Sequence, residues 1–194
     1  WFAHIPGLVV VAPSTPADNH GLLLAALASG DPVVYMEHKE LWGTPGAVTS
    51  GDVVPLGKAR VARAGSDLTI VSWSRQMQAC EQAAEQLAAQ GVQAELIDLR
   101  TIWPWDRDAV LQSVAKTGRL LVVSEASERG SFAMTIASNV TRFGFRDLKA
   151  PPRVLGAPNW IVPGAEMETT YFPQVEDILD IAFGEFFPEQ RHNR

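Results

Sequence analysis

The sequence predicts an α/β fold, a three-layer arrangement with a mostly parallel sheet covered on both faces, and three observations predict it. Short β-branched runs alternate with helical stretches of ten or more residues. Gly and Pro punctuate nearly every junction between them. The 194 residues are 46% apolar, enough to bury a core on both sides of a sheet. Leu8 to Val11 opens the series with the apolar continuity of a buried strand, and Pro13 ends it. Thr15 then stands as a helix cap, Pro16 takes the first helical position, and Asp18 sits where a capping-box acid belongs. The helix continues from Gly21 to Ala28, Gly30 stops it, and Pro32 leads into a second strand, Val33 to Met36. A strand–helix–strand unit of this length predicts a parallel pair.

From His38 to Gly65 the periodicity is lost, and Gly43, Pro45, Gly46, Gly51, Pro55 and Gly57 are scattered through it. This reads as a crossing between two domains, with residues 1–64 in the first part and 65–194 in the second. A new alternation follows. Leu68 to Trp73 is a strand, Arg75 to Gln90 a helix ended by Gly91, and Val92 to Leu99 the next strand. Pro104 and Asp106 open a helix reaching about Lys116, and Arg119 to Ser124 is a strand. Ser131 to Thr141 is helical, Pro151 to Leu155 a strand, and Val175 to Phe186 a closing amphipathic helix before a loose tail, Pro188 to Arg194.

Charge and cysteine usage exclude several function classes. With 22 acidic and 16 basic side chains the net charge is −6, and no Lys/Arg block offers a footprint for nucleic acid or an anionic membrane. The single cysteine, Cys80, excludes an internal disulfide and a multi-cysteine zinc site. No apolar run approaches the roughly 18 residues of a spanning helix, and no secretory leader precedes the first strand. The chain opens in mid-phrase at Trp1, which reads as part of a longer protein.

Local motifs do not by themselves name a chemistry. Gly51 and Gly57-Lys58 are separated by five residues and followed by Ala59, where a phosphate loop needs four and a Ser or Thr. His4, His20, His38 and His192 share no metal-ligand spacing. Cys80 lies on an Ala/Gln-rich helix with no recognisable base nearby, the pattern of a buried structural thiol. Ser124-Glu125, Asp98 and Arg100 fall at carboxyl ends of strands, where open α/β sheets place functional groups and where structural carboxylates also cap loops. Trp103 and Trp105 fit core or interface anchors.

Read as phrases, the sequence is more specific. Trp1 to Pro16 (WFAHIPGLVVVAPSTP), Asp31 to Lys39 (DPVVYMEHK), Pro55 to Ala59 (PLGKA), Gly65 to Val71 (GSDLTIV) and Ile97 to Ile102 (IDLRTI) occur in order, closed by Val175 to Ile178 (VEDI). Together they resemble the beta subunit of thiamine-diphosphate-dependent 2-oxo-acid dehydrogenases, the pyruvate, branched-chain and acetoin type. The resemblance implies a truncated strand–helix–strand remnant of a pyrimidine-binding domain followed by a transketolase-type carboxy-terminal domain. It implies oxidative decarboxylation of a 2-oxo acid with acyl transfer to lipoamide, this segment being mainly structural. A transketolase or deoxyxylulose-phosphate synthase half is the same-fold alternative, and a non-catalytic oligomerisation module is the alternative of another class. The cofactor-activating glutamate and active-site histidine belong to phrases upstream of Trp1, so no catalytic or cofactor-binding residue is assigned here. Thiamine diphosphate and magnesium would be held mainly by other parts, including an alpha subunit, and a second beta subunit would complete a heterotetramer in the cytoplasm or an organelle matrix.

Two sets of positions carry further expectations from the resemblance. Backbone oxygens at Ala26, Leu27, Ser29 and Asp31, around a helix end, match a potassium site of relatives. Asp147 and Lys149, before Ala150-Pro151, match a docking point for a lipoyl acyltransferase core, with Lys149 standing where relatives carry an acid. Ser127 to Ala133 and Asn159 to Gly164 depart from the family's pattern, the first by loss of turn glycines.

Overall fold

The computed structural model describes residues 1–193, with side chains as far as Gln190. His192 and Arg194, in the expected tail, lie outside the described side chains. Two sheets form among the described residues. The first has the order β2 (Val33–Tyr35), β1 (Val9–Val11), β6 (Thr101–Trp103), and the second the order β3 (Arg60–Arg63), β5 (Ala94–Asp98), β4 (Leu68–Ser72), β7 (Leu120–Ser127), β8 (Arg153–Ala157). In the first, β1 (Val9–Val11) and β2 (Val33–Tyr35) run parallel around α1 (Pro16–Ala28). Thr15 caps α1 as expected: its Oγ1 accepts the Asp18 N–H at 3.1 Å.

The second sheet is built from β3 (Arg60–Arg63), β4 (Leu68–Ser72), β5 (Ala94–Asp98), β7 (Leu120–Ser127) and β8 (Arg153–Ala157). Strands β4, β5, β7 and β8 are parallel, and β3 adds as an antiparallel edge. β3 lies before Gly65, inside the stretch whose sequence pattern is loose, yet it pairs in this sheet. β6 (Thr101–Trp103) is a further element that the sequence pattern does not mark as separate. It follows β5 after two residues but joins the other sheet, antiparallel to β1. Arg100 makes that sharp turn with φ +57°, and its carbonyl accepts the Ala12 N–H at 2.9 Å.

Strand alternation divides the core in two. Leu68, Ile70, Leu96, Leu121 and Val123 face α2 (Gln76–Ala89) and α6 (Val175–Ile181), α6 continuing as a π turn through Ala182–Phe186. Val71, Ile97, Leu99, Leu120 and Val122 face α3 (Arg107–Thr117) and α4 (Phe132–Gly144). The short α5 (Glu168–Tyr171) precedes α6, and Pro188–Asn193, expected as a loose tail, winds as a 3₁₀ turn. The three-layer α/β expectation therefore holds. Each fully buried Leu, Ile or Phe on these faces contributes about 1.5–3 kcal/mol. One polar exception is closed on itself: Thr69 Oγ1 lies 2.7 Å from both Ser113 Oγ and Thr117 Oγ1. Gly65 marks a backbone crossing, since a Cβ there would stand 2.2 Å from the Ala94 carbonyl carbon.

Candidate functional site

Both sheets point their carboxyl ends toward one junction, and two charged clusters form there. The first is closed. Asp98, at the end of β5, is fully buried and accepts from the Ser14 hydroxyl, from Arg60 Nη2 at 3.0 Å and from the Arg100 N–H at 3.1 Å. Asp18, on the first turn of α1, accepts from Thr15 Oγ1 at 2.7 Å and Arg100 Nη1 at 2.9 Å, with Arg60 Nε at 3.5 Å. Arg100 also donates to the carbonyls of Lys58 and Ala59 at 3.2 and 3.1 Å. Two carboxylates and two guanidiniums thus balance at the seam between the sheets. Burial raises the Asp98 carboxyl above its ordinary value, against the pull of Ser14 and Arg60. The arrangement leaves no oxygen of Asp98 free to take a proton from a substrate. Asp98 and Arg100, which strand-end position alone leaves open, are structural.

The second cluster is open. The loop after β2 brings His38 to Glu125, near the end of β7, with Nε2 3.1 Å from Oε2. On the same loop Glu40 accepts from Arg75 Nε, before α2, at 2.8 Å. These pairs rim a cleft of about 460 Å³ whose walls include Gln76, Glu168 and Phe172. Burial is the main cause that raises the Glu125 carboxyl; His38 and Arg75 oppose it, and Glu40 adds to it. A partly dry carboxyl beside an imidazole is a pair able to hold or pass a proton. Sequence spacing could not show it, because the two residues come from different sheets. Its one signal was the placement of Glu125 at a strand's carboxyl end.

The other expected residues are placed as follows. Ala26 and Leu27 are in the last turn of α1, and Ser29 and Asp31 follow it. Ala26 O already accepts the Ser29 N–H at 3.2 Å, and Ser29 Oγ the Asp31 N–H at 3.1 Å. Leu27 is 77% exposed, so a cation here would need oxygens from a further segment to complete its shell. Lys149 lies along the end of α3: its Nζ is 3.4 Å from Thr117 O, and its N–H donates to Gly118 O at 2.7 Å. It covers carbonyls at the helix's negative end. Asp147 is exposed on the 3₁₀ turn Phe145–Asp147. Cys80 is fully buried, and burial pushes its thiol up to about 12. His4 sits on the exposed turn Phe2–His4, and His20 Nε2 is buried without a partner. Trp105 packs on the α3–α4 side of the core, while Trp103 is 40% exposed and edge-on to Phe132. Among the described residues, no group of three or more His, Cys, Asp or Glu is arranged to hold a metal, and no helix is long and apolar enough to cross a membrane.

Comparison with known proteins places this architecture. The beta subunit of acetoin:2,6-dichlorophenolindophenol oxidoreductase from Cupriavidus necator is 44% identical over 183 residues, covering 93% of this chain and 54% of the relative. Pyruvate dehydrogenase E1 component subunit beta of Rhizobium meliloti is 42% identical over 183 residues, 93% of this chain and 40% of its own. The mitochondrial 2-oxoisovalerate dehydrogenase subunit beta of Dictyostelium discoideum is 45% identical over 163 residues, 80% and 43%. The chain thus spans about half the length of these relatives. A solved split-gene transketolase, described as an inactive beta4 tetramer, shares the fold with TM-score 0.79 and 21% identity, over 95% of this chain and 59% of that one. The model of the transketolase pyrimidine-binding domain matches residues 1–44, and that of the transketolase C-terminal domain matches residues 57–178. With most of its length inside the second match, the chain belongs to the transketolase C-terminal domain family.

Proposed function

We propose that this chain is the carboxy-terminal portion of the beta subunit of a thiamine-diphosphate-dependent 2-oxo-acid dehydrogenase, acting in the cytoplasm or an organelle matrix. The observation that carries the reading is 44% identity sustained over 93% of the chain to an acetoin oxidoreductase beta subunit, with pyruvate and 2-oxoisovalerate relatives beside it. The family's cofactor supplies an electron sink for decarboxylation when bound. Nothing in this chain is assigned to hold it. Its role is to fix part of a pyrimidine-binding sheet against a transketolase-type domain, through the closed Asp18–Arg60–Asp98–Arg100 cluster, and to offer surfaces to an alpha subunit and a second beta subunit. Magnesium belongs with the cofactor on the partner. Potassium, if held on the turn at Ala26, Leu27, Ser29 and Asp31, stiffens the end of α1. The region of Asp147 and Lys149 docks an acyltransferase core of altered charge complementarity, or none, since Lys149 stands where relatives carry an acid.

Co-expression of the full beta polypeptide with its alpha subunit, followed by analytical ultracentrifugation, tests the assembly. A stable heterotetramer is expected. A beta polypeptide that sediments apart from alpha at micromolar concentration contradicts it.

A further inference from the structure

The face of the second sheet covered by α3 and α4 carries a charge pattern that the fold does not need. Arg107 on α3, Arg142 near the end of α4 and Arg146 on the following turn are all exposed. Among the described residues none of the three pairs with a carboxylate, whereas Arg60, Arg75, Arg100 and Arg153 each do. The Arg107 and Arg142 guanidinium carbons lie instead 4.9 and 5.1 Å from the centre of the Phe143 ring. Phe143 is 50% exposed and Phe145, two residues on, 71%. The helices are close here, since a Cβ on Gly144 would stand 3.1 Å from Leu111. Toward the other end of α3, Lys149 extends the basic strip over Gly118. The carboxylates beside these residues are Asp106, Asp108 and Asp147, and Asp106 is engaged by Lys58 and the start of α3, so the cations outnumber the anions on a chain of net charge −6.

Exposed aromatic rings framed by unpaired arginines are the composition of interface anchors, not of an ordinary solvated surface. A partner that covers the rings removes apolar area from water, and its carboxylates meet guanidiniums that have no internal carboxylate to surrender. A nucleic-acid backbone satisfies the charges but leaves the rings uncovered, and it meets the repulsion of the rest of the chain.

We infer that this patch is a docking surface for an acidic segment of a partner protein that also presents apolar side chains to Phe143 and Phe145. It gives the docking reading at Lys149 a partner chemistry, and in that respect rests on it. The patch itself is independent of whether the assembly decarboxylates a 2-oxo acid.

The test is a fluorescence-anisotropy titration of the full chain with three labelled probes: a peptide of alternating glutamate and leucine, its lysine–leucine counterpart, and a short DNA duplex. The glutamate peptide is expected to bind best, more weakly as salt is raised. Arg142→Glu with Arg146→Glu should weaken it at least about tenfold, a 1.4 kcal/mol change. Phe143→Ala should weaken it while leaving the salt dependence nearly unchanged. Arg146→Gln alone, a mild surface change, keeps the test available should the double variant fold poorly, and should weaken binding several-fold. Absence of glutamate-peptide binding, tighter binding of the duplex or the lysine peptide, or indifference to all the variants overturns the inference. Heterotetramer assembly and peptide binding are separate readouts, so failure of one reading does not imply failure of the other.

Discussion

The two charged clusters at the junction of the sheets are made from the same kinds of side chain and behave differently. At Asp98 both carboxylate oxygens are taken up inside the protein, and the residue itself is shut from water. At the cleft, His38 and Glu125 keep 28% of their side-chain surface exposed, and Arg75 and Glu40 keep 34% and 54%. The contrast teaches that an ion pair's weight comes from burial rather than from its presence. Dry charges with matched partners fix one register between two sheets, and removing one partner strands the rest. Wet pairs contribute a few tenths of a kcal/mol and are free to part when something enters the cleft.

The strongest way to break the comparison is at Asp98. Asp98→Asn turns an amide toward donors that already point inward, and it leaves Arg60 short of a carboxylate. The expected cost is about 3–5 kcal/mol. A chain of this size should lose roughly 6–20 °C of melting temperature, read by calorimetry. Arg100→Met comes next, because it frees Asp18 Oδ1 and the carbonyls of Lys58 and Ala59. It should cost about 2–3 kcal/mol. If either variant melts within a degree of the native chain, the closed cluster does not fix the junction.

At the cleft the effects are smaller. A double-mutant cycle between Arg75→Ala and Glu40→Ala should give a coupling below about 1 kcal/mol that fades with added salt. The smallest effect is pH dependence at Glu125. Burial raises its carboxyl, so the folded chain binds that proton more tightly than the unfolded one. Its contribution to stability is full below the ordinary carboxylate value and is lost as pH rises through the raised, folded value. Glu125→Gln should therefore gain stability relative to the native chain as pH rises through that window, with no further change above it. Denaturant unfolding at a series of pH values checks this, and a difference of the opposite slope would refute the assignment.

Much of this fold was legible because local signals agreed with one another. Thr15 and Pro16 name the start of α1 by capping chemistry, and Gly91, with φ +86°, marks the end of α2; Asp18 instead turns its carboxylate to Arg100 and Arg60, and α1 ends at Ser29 before Gly30 is reached. Alternation within β4 and β7 already divides their side chains between two helical layers. The edge strand β3 and the sheet-switching β6 were not legible as such. Arg60–Arg63 has no apolar continuity to read, and β6 is made by a left-handed turn at Arg100 that only tertiary contacts impose. The candidate site was half visible for the same reason. Strand-end position picked out Glu125 and Asp98, but their partners His38 and Arg60 come from elements whose docking no spacing encodes. Lys149 shows the converse: its position by resemblance concerns a partner, while its side chain also serves α3.

We propose that this chain is one structural part of a thiamine-dependent assembly rather than a self-sufficient catalyst. The most direct measurement is a turnover assay on the isolated chain with thiamine diphosphate, magnesium, a panel of 2-oxo acids and an artificial electron acceptor. The same assay is run after the full beta polypeptide is combined with its alpha subunit. Reduction of the acceptor is expected from the assembled enzyme and none from the isolated chain. Cofactor-dependent turnover by the isolated chain would contradict it.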